Sequence, residues 1–143
     1  SAKEWNIDTA RIGVMGFSAG GELAALSAIR FDYGKSDTND AIDHESSRPA
    51  FQALIYPGGS NRFEIVPNAP PIFLVGGYKD REDISEGIAE VYLKYKKANV
   101  PAELHIYSNA GHGFGLRKTN HGAVAGWIIR FEEWLEEEGF IKK

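Results

Sequence analysis

The sequence predicts an α/β fold, an open sheet of parallel strands with helices on both faces. Three observations point there. The runs "FQALIYP" (51 to 57) and "PIFLVGG" (71 to 77) are apolar without alternation, the mark of strands covered on both sides. Segments of helical composition or periodicity separate the apolar runs, and Gly or Pro punctuates them. The resulting order, strand, helix, strand, strand, helix, strand, helix, is that of parallel strands joined by crossovers.

Each element has its own signal. "RIGVMGF" (11 to 17) is a short apolar run and reads as a buried strand. From Ala19 to about Ile29 the chain is rich in Ala and Leu and reads as a helix. Residues 31–49 are polar with turn formers throughout, which predicts a long surface loop. After the second and third strands, Asp83 to Ala98 reads as a helix with Ile84, Ile88, Val91, Leu93 and Tyr95 on one stripe and Asn99 as its stop. "AELHIYS" (102 to 108) is the fourth strand. Residues 124–139 form the last helix, with Trp127, Ile128, Phe131, Trp134 and Leu135 turned inward.

Composition narrows the function classes. With 143 residues, 43% hydrophobic and 25% charged, the chain has material for one core and one domain. A net charge of −4 and a pI near 5.6 argue against nucleic acid or an anionic membrane surface as partner, since both demand clustered cations. "KYKK" (94 to 97), the one basic cluster, reads as a solvated helix face. There are no cysteines, which removes disulfides, thiolate metal sites and a cysteine nucleophile. No apolar run approaches the ~18 residues of a membrane-spanning helix.

"GFSAGG" (16 to 21) carries the chemistry. G-x-S-x-G between a strand and a helix is a nucleophile elbow, in which small neighbours, here Gly16, Gly20 and Gly21, allow a sharp turn that lifts the Ser18 hydroxyl out. The helix behind it favours developing negative charge. The competing reading makes Ser18 only the cap of that helix. A serine nucleophile needs a base. His105 lies inside the fourth strand, His44 is in the long polar loop and His121 precedes the last helix, where either reads as plain surface. His112, in "NAGHGFG" just past the carboxyl end of the fourth strand, is where an open parallel sheet collects its functional loops. The orienting carboxylate is expected past the third strand, in "GGYKDREDISEG". Asp83 opens a D-x-x-E capping box with Glu86, which leaves Asp80 free for the imidazole.

With these motifs in place the chain resembles the α/β-hydrolase esterases of the acetyl-xylan-esterase and feruloyl-esterase-like group. The resemblance rests on "RIGVMGFSAGGELAA", "PPIFLVGGYKD" and "VPAELHIYSNAGHGFGLR", followed by "RFEEWL". It implies Ser18 as nucleophile, Asp80 as orienting acid and His112 as general base, with the Ala19 amide as one oxyanion donor. The implied activity is hydrolysis of short-chain esters of carbohydrates or small alcohols, with no metal and no organic cofactor. Gly76-Gly77 stands where many relatives have "HG". A prolyl-oligopeptidase-like serine peptidase shares this arrangement and stays an alternative. Only "SAKEWNIDTA" precedes the first strand, so the resemblance further implies the C-terminal half of the domain, its last four strands. On that reading the strands and glycine-rich loop that supply a second oxyanion donor are missing. The first strand is then an open edge through which the chain associates with itself, and an inactive, self-associating half-domain is the third alternative.

Overall fold

The computed structural model describes residues 2–142. Four strands, β1 (Val14–Phe17), β2 (Gln52–Ile55), β3 (Ile72–Gly77) and β4 (Ala102–Tyr107), form one sheet in sequence order, with every neighbouring pair parallel. Helices α1 (Ala19–Ile29), α2 (Glu82–Ser85), α3 (Gly87–Lys97) and α4 (Trp127–Glu137) complete the layers. The α/β architecture expected from the sequence is present, and it matches part of an α/β-hydrolase fold. Residues 31–49 carry no helix or strand, as their turn formers predict.

Alternation along the strands sorts two cores. Leu54, Ile72 and Leu74 pack against Ala24, Ala25 and Ile29 of α1 and Ile88, Val91 and Tyr95 of α3. Ala53, Ile55, Phe73 and Val75 point the other way, against Trp127, Phe131 and Trp134 of α4. Burying a large apolar side chain in full contributes about 1.5–3 kcal/mol, so β2 and β3, buried at every position, anchor both layers. Polar atoms tie the layers too: Gln52, buried in β2, donates through Nε2 to the Tyr95 hydroxyl at 2.6 Å. Burial raises the Tyr95 pKa well above the ordinary phenol value.

The edge strands differ from the central ones. In β1 only Gly16 is buried, and Met15 and Phe17 are 39% and 37% exposed. The apolar run read as a buried strand is therefore an edge strand, paired with β2 on one side among the described residues. Its register sets Gly16 beside Leu54 on the α1 face.

The helix read as Asp83 to Ala98 is two pieces, and it begins at Glu82. The Asp83–Glu86 capping box does not form. Arg81 occupies the N-cap position, and Asp83 binds its guanidinium through both carboxylate oxygens, each at 2.9 Å. Such a bidentate, charge-assisted pair outcompetes a backbone amide, and it holds the exposed Asp83 pKa below the ordinary carboxylate value. Leu93 is 52% exposed, unlike Ile84, Ile88, Val91 and Tyr95. Those four recur at helical spacing, whereas Leu93 falls two residues from Val91, nearly half a turn away. Asn99 does end α3: its amide bonds the Lys96 carbonyl (3.1 Å) and the Val100 amide bonds that of Tyr95 (3.0 Å), a Schellman closure.

Candidate active site

The carboxyl ends of all four strands converge on one surface. β1 leads directly into Ser18, which holds φ 52° and ψ −120°. Backbone of this kind costs about 1–3 kcal/mol and persists only where its surroundings fix it. Here they do: Ser18 N–H donates to Ile55 O at 2.9 Å, and Ser18 O accepts from Glu22 N–H at 3.1 Å and Gly58 N–H at 3.3 Å. The turn also needs a bare Cα at Gly16, where an added Cβ would stand 2.0 Å from the Gly20 carbonyl oxygen. At Gly21 it would meet Gly16 O and Pro57 at 3.1 Å. Gly20 itself has open space at that position, so its main chain, not its missing side chain, makes the close approach.

Ser18 stands at the N-cap of α1 but makes no side-chain capping bond. Its Oγ lies 2.8 Å from His112 Nε2 instead, across 94 residues of sequence. His112 Nδ1 lies 2.8 Å from Asp80 Oδ2. Asp80 keeps 1% of its side chain exposed, against 41% for His112, and its other oxygen accepts from Arg81 N–H at 2.8 Å. A carboxylate can only accept, so the neutral imidazole donates from Nδ1, and Nε2 is left with a lone pair facing the serine hydroxyl. The geometry is that of a hydroxyl, an imidazole and a carboxylate in series.

Backbone hydrogen bonds zip the loops after β3 and β4 together. Tyr78 N–H donates to Tyr107 O (3.0 Å), and Lys79 N–H donates to Ala110 O (2.9 Å). Gly77 permits this approach, since a Cβ there would lie 2.3 Å from the Ala110 carbonyl oxygen. The Gly76-Gly77 pair thus has a steric reason: a Cβ at Gly76 would meet Ile88 at 2.3 Å. Ala19 is the first residue of α1, so its N–H precedes the intrahelical ladder and remains available to an anion at the helix start.

The other histidines lie apart from this series. His105 Nε2 pairs with Glu103 Oε1 at 2.7 Å, and His44 Nε2 meets Thr38 O at 2.9 Å. His121 precedes a short 3-10 turn (Gly122–Gly126) without capping it. Sequence reasoning passed over the residues beneath the imidazole. Tyr56, read as part of a strand, lies just past β2 with its ring 4.9 Å from that of His112. Asn120 Nδ2 and Trp127 Nε1 both donate to Gly115 O, at 3.1 and 2.8 Å, and so secure the loop that carries His112. No sequence pattern marks these contacts, which join the end of β2, the loop after β4 and the start of α4.

Residues 1–137 match the sequence model of the Dienelactone hydrolase family. The chain belongs to that family. Among its similar structures, the acetyl ester-xyloside bifunctional hydrolase of Caldicellulosiruptor lactoaceticus is 33% identical with a TM-score of 0.90, over 98% of this chain and 61% of that one. Esterase 2 of Thermogutta terrifontis, solved with propionate bound, is 25% identical with a TM-score of 0.75, over 99% of this chain and 61% of that one. An acetylxylan esterase of Xylanibacter ruminicola is 27% identical over 149 residues, covering 81% of this Dienelactone hydrolase family chain and 28% of the relative. The chain therefore spans 61% of the length of each of these two solved relatives and 28% of the curated one. Homology to esterases agrees with the resemblance carried by the sequence motifs.

Proposed function

We propose that the protein is a serine carboxylic-ester hydrolase, with Ser18 as nucleophile, His112 as general base and acid, and Asp80 as the group that orients and stabilises the imidazolium. Ser18 Oγ attacks the ester carbonyl carbon while His112 Nε2 takes the hydroxyl proton. The Ala19 N–H faces the oxyanion of the tetrahedral intermediate. Collapse breaks the bond to the alcohol, which leaves with the proton from Nε2. Water, deprotonated by the same nitrogen, then cleaves the acyl-serine to a carboxylic acid and free Ser18. The observation that carries this reading is the unbroken series Asp80–His112–Ser18, with both links at 2.8 Å. Short acyl groups on a carbohydrate or small alcohol are the proposed substrates, supported by the acetylated substrates named for two relatives. Residues 58–70 and 114–122 are proposed to form part of the pocket wall. The test is p-nitrophenyl acetate hydrolysis by the protein expressed from its full reading frame. Ser18→Ala abolishes it on this reading, and turnover at the wild-type rate would refute it.

A second reading applies to residues 1–143 alone, and the open side of β1 favours it. An apolar edge with exposed Met15 and Phe17 invites strand pairing with another copy. On this proposal the four strands are part of a larger domain whose remainder supplies a second oxyanion donor. The isolated stretch then self-associates as a dimer or larger and turns over roughly 10²- to 10³-fold more slowly, the effect of losing one donor. A monomeric mass in light scattering at micromolar concentration would contradict the association.

A further inference from the structure

We infer that Tyr56 is a positioning residue for His112, its ring serving as the fixed surface on which the imidazole rests while it spans Ser18 and Asp80. The inference rests on the roles proposed above for those three residues.

Tyr56 follows β2 directly and holds φ at 41°, in the left-handed region that a bulky side chain rarely adopts. Such a backbone is retained where the surroundings over-determine it. Its N–H donates to Val75 O at 2.7 Å, fixing the main chain to the end of β3. The conformation directs the ring under the site, where 5% of the residue remains exposed.

Three contacts define what the ring does there. It meets the His112 imidazole at 4.9 Å between centroids and 62° between planes. It meets Phe114, in the same loop, at 4.7 Å and 77°. On its other side it approaches Phe17, the last residue of β1, at 6.1 Å and 57°. The hydroxyl lies beside the Gly115 backbone, and burial pushes the Tyr56 pKa up, which keeps the phenol protonated. One side chain thus bridges the strand that leads into Ser18 and the loop that bears His112.

The His112 loop cannot supply this support by itself. Gly113 and Gly115 flank the site with φ of 75° and 45°, and the His112 side chain is 41% exposed on its outer side. Two hydrogen bonds hold the ring at its nitrogens, and neither prevents it from tilting about the line that joins them. An aromatic surface beneath it does. Such a tilt leaves Nε2 in place but swings its lone pair off Ser18 Oγ, and misplacement of reacting groups can cost about 10²-fold in rate, because proton transfer depends on alignment.

The test compares wild type, Tyr56→Phe and Tyr56→Leu in the protein expressed from its full reading frame, reading kcat and KM for p-nitrophenyl acetate. The downfield proton resonance of His112 Nδ1–H is followed alongside. Tyr56→Leu is expected to lower kcat about 10- to 100-fold with KM within about 2-fold, and to shift or broaden that resonance. Tyr56→Phe, which keeps the ring, restores kcat to within about 3-fold of wild type and restores the resonance. Should Tyr56→Leu not fold, Tyr56→Met carries the same comparison. If neither folds while Tyr56→Phe does, the ring belongs to the core alone and the inference is overturned. A folded Leu or Met variant with wild-type kcat and an unmoved resonance overturns it equally, as does a loss confined to KM. Ser18→Ala run in parallel separates the two levels. Activity persisting in Ser18→Ala removes the underlying reading, whereas an inactive Ser18→Ala beside an unchanged Tyr56→Leu removes this inference only.

Discussion

At the carboxyl end of the sheet, Ser18 and Tyr56 hold φ of 52° and 41°; ahead of β3 and β4, at the opposite end, Asn68 and Asn99 hold 63° and 56°. Asparagine is among the residues with a side chain that best tolerate the left-handed region, so the amino end meets its turns with ordinary turn chemistry. Asn99 does so in the course of closing α3. At the carboxyl end positive φ is held by a tyrosine and by a serine whose ψ of −120° lies outside the left-handed helical well, conformations costly for both. Both side chains go to one partner: Ser18 Oγ bonds His112 and the Tyr56 ring packs on it. Strain held without local chemical relief falls at the end of the sheet where the proposed chemistry sits, and strain met by asparagine falls at the end that turns the chain.

That contrast can be broken most sharply at the two aspartates after β3. Asp80 is buried against His112, and Asp83 is exposed against Arg81. Asp80→Asn is expected to lower kcat for ester hydrolysis by about 10⁴-fold, through the wrong imidazole tautomer. Asp83→Asn stays within about 2-fold. Equal losses would show that the loop, not the imidazole partner, matters.

The glycines of the elbow give the next largest difference, read as stability in urea. Gly16→Ala forces a Cβ against the Gly20 carbonyl and is expected to cost at least about 3 kcal/mol. Gly20→Ala has open space and gains helix propensity, so its stability stays within about 1 kcal/mol of wild type. Comparable losses at both would contradict the steric account of the turn.

Asn99 offers the smallest effect and the control for strain without function. Asn99→Ala costs about 1–2 kcal/mol, the penalty of the left-handed region, while Asn99→Gly is nearly neutral. Both leave kcat unchanged. An activity loss beyond the loss of folded protein would break the division between the two ends.

Much of this was legible in the sequence, and the parts that were not share a cause. α1 runs over Ala19–Ile29 as its composition predicts, and β3 and β4 lie within a residue of their apolar runs. Ser18, Asp80 and His112 meet because each follows a strand of one parallel sheet, a regularity that chain order alone conveys. Asp83 misled because the D-x-x-E pattern is blind to a neighbouring guanidinium, and the choice of Asp80 had leaned on that capping box. Leu93 misled because an apolar residue was counted without checking its angle. Tyr56 was invisible: an aromatic residue ending an apolar run looks like strand, and neither its φ nor its contact with a histidine 56 positions later leaves a local trace.

The proposed reaction stands on Ser18 being a nucleophile activated by His112. Its most direct test is to treat the protein from its full reading frame with a fluorophosphonate and locate the adduct by peptide mass spectrometry. A single stoichiometric adduct is expected on the peptide containing Ser18, with labelling slowed by orders of magnitude in His112→Ala. An adduct on another residue, or labelling of Ser18 at the same rate without His112, would contradict it.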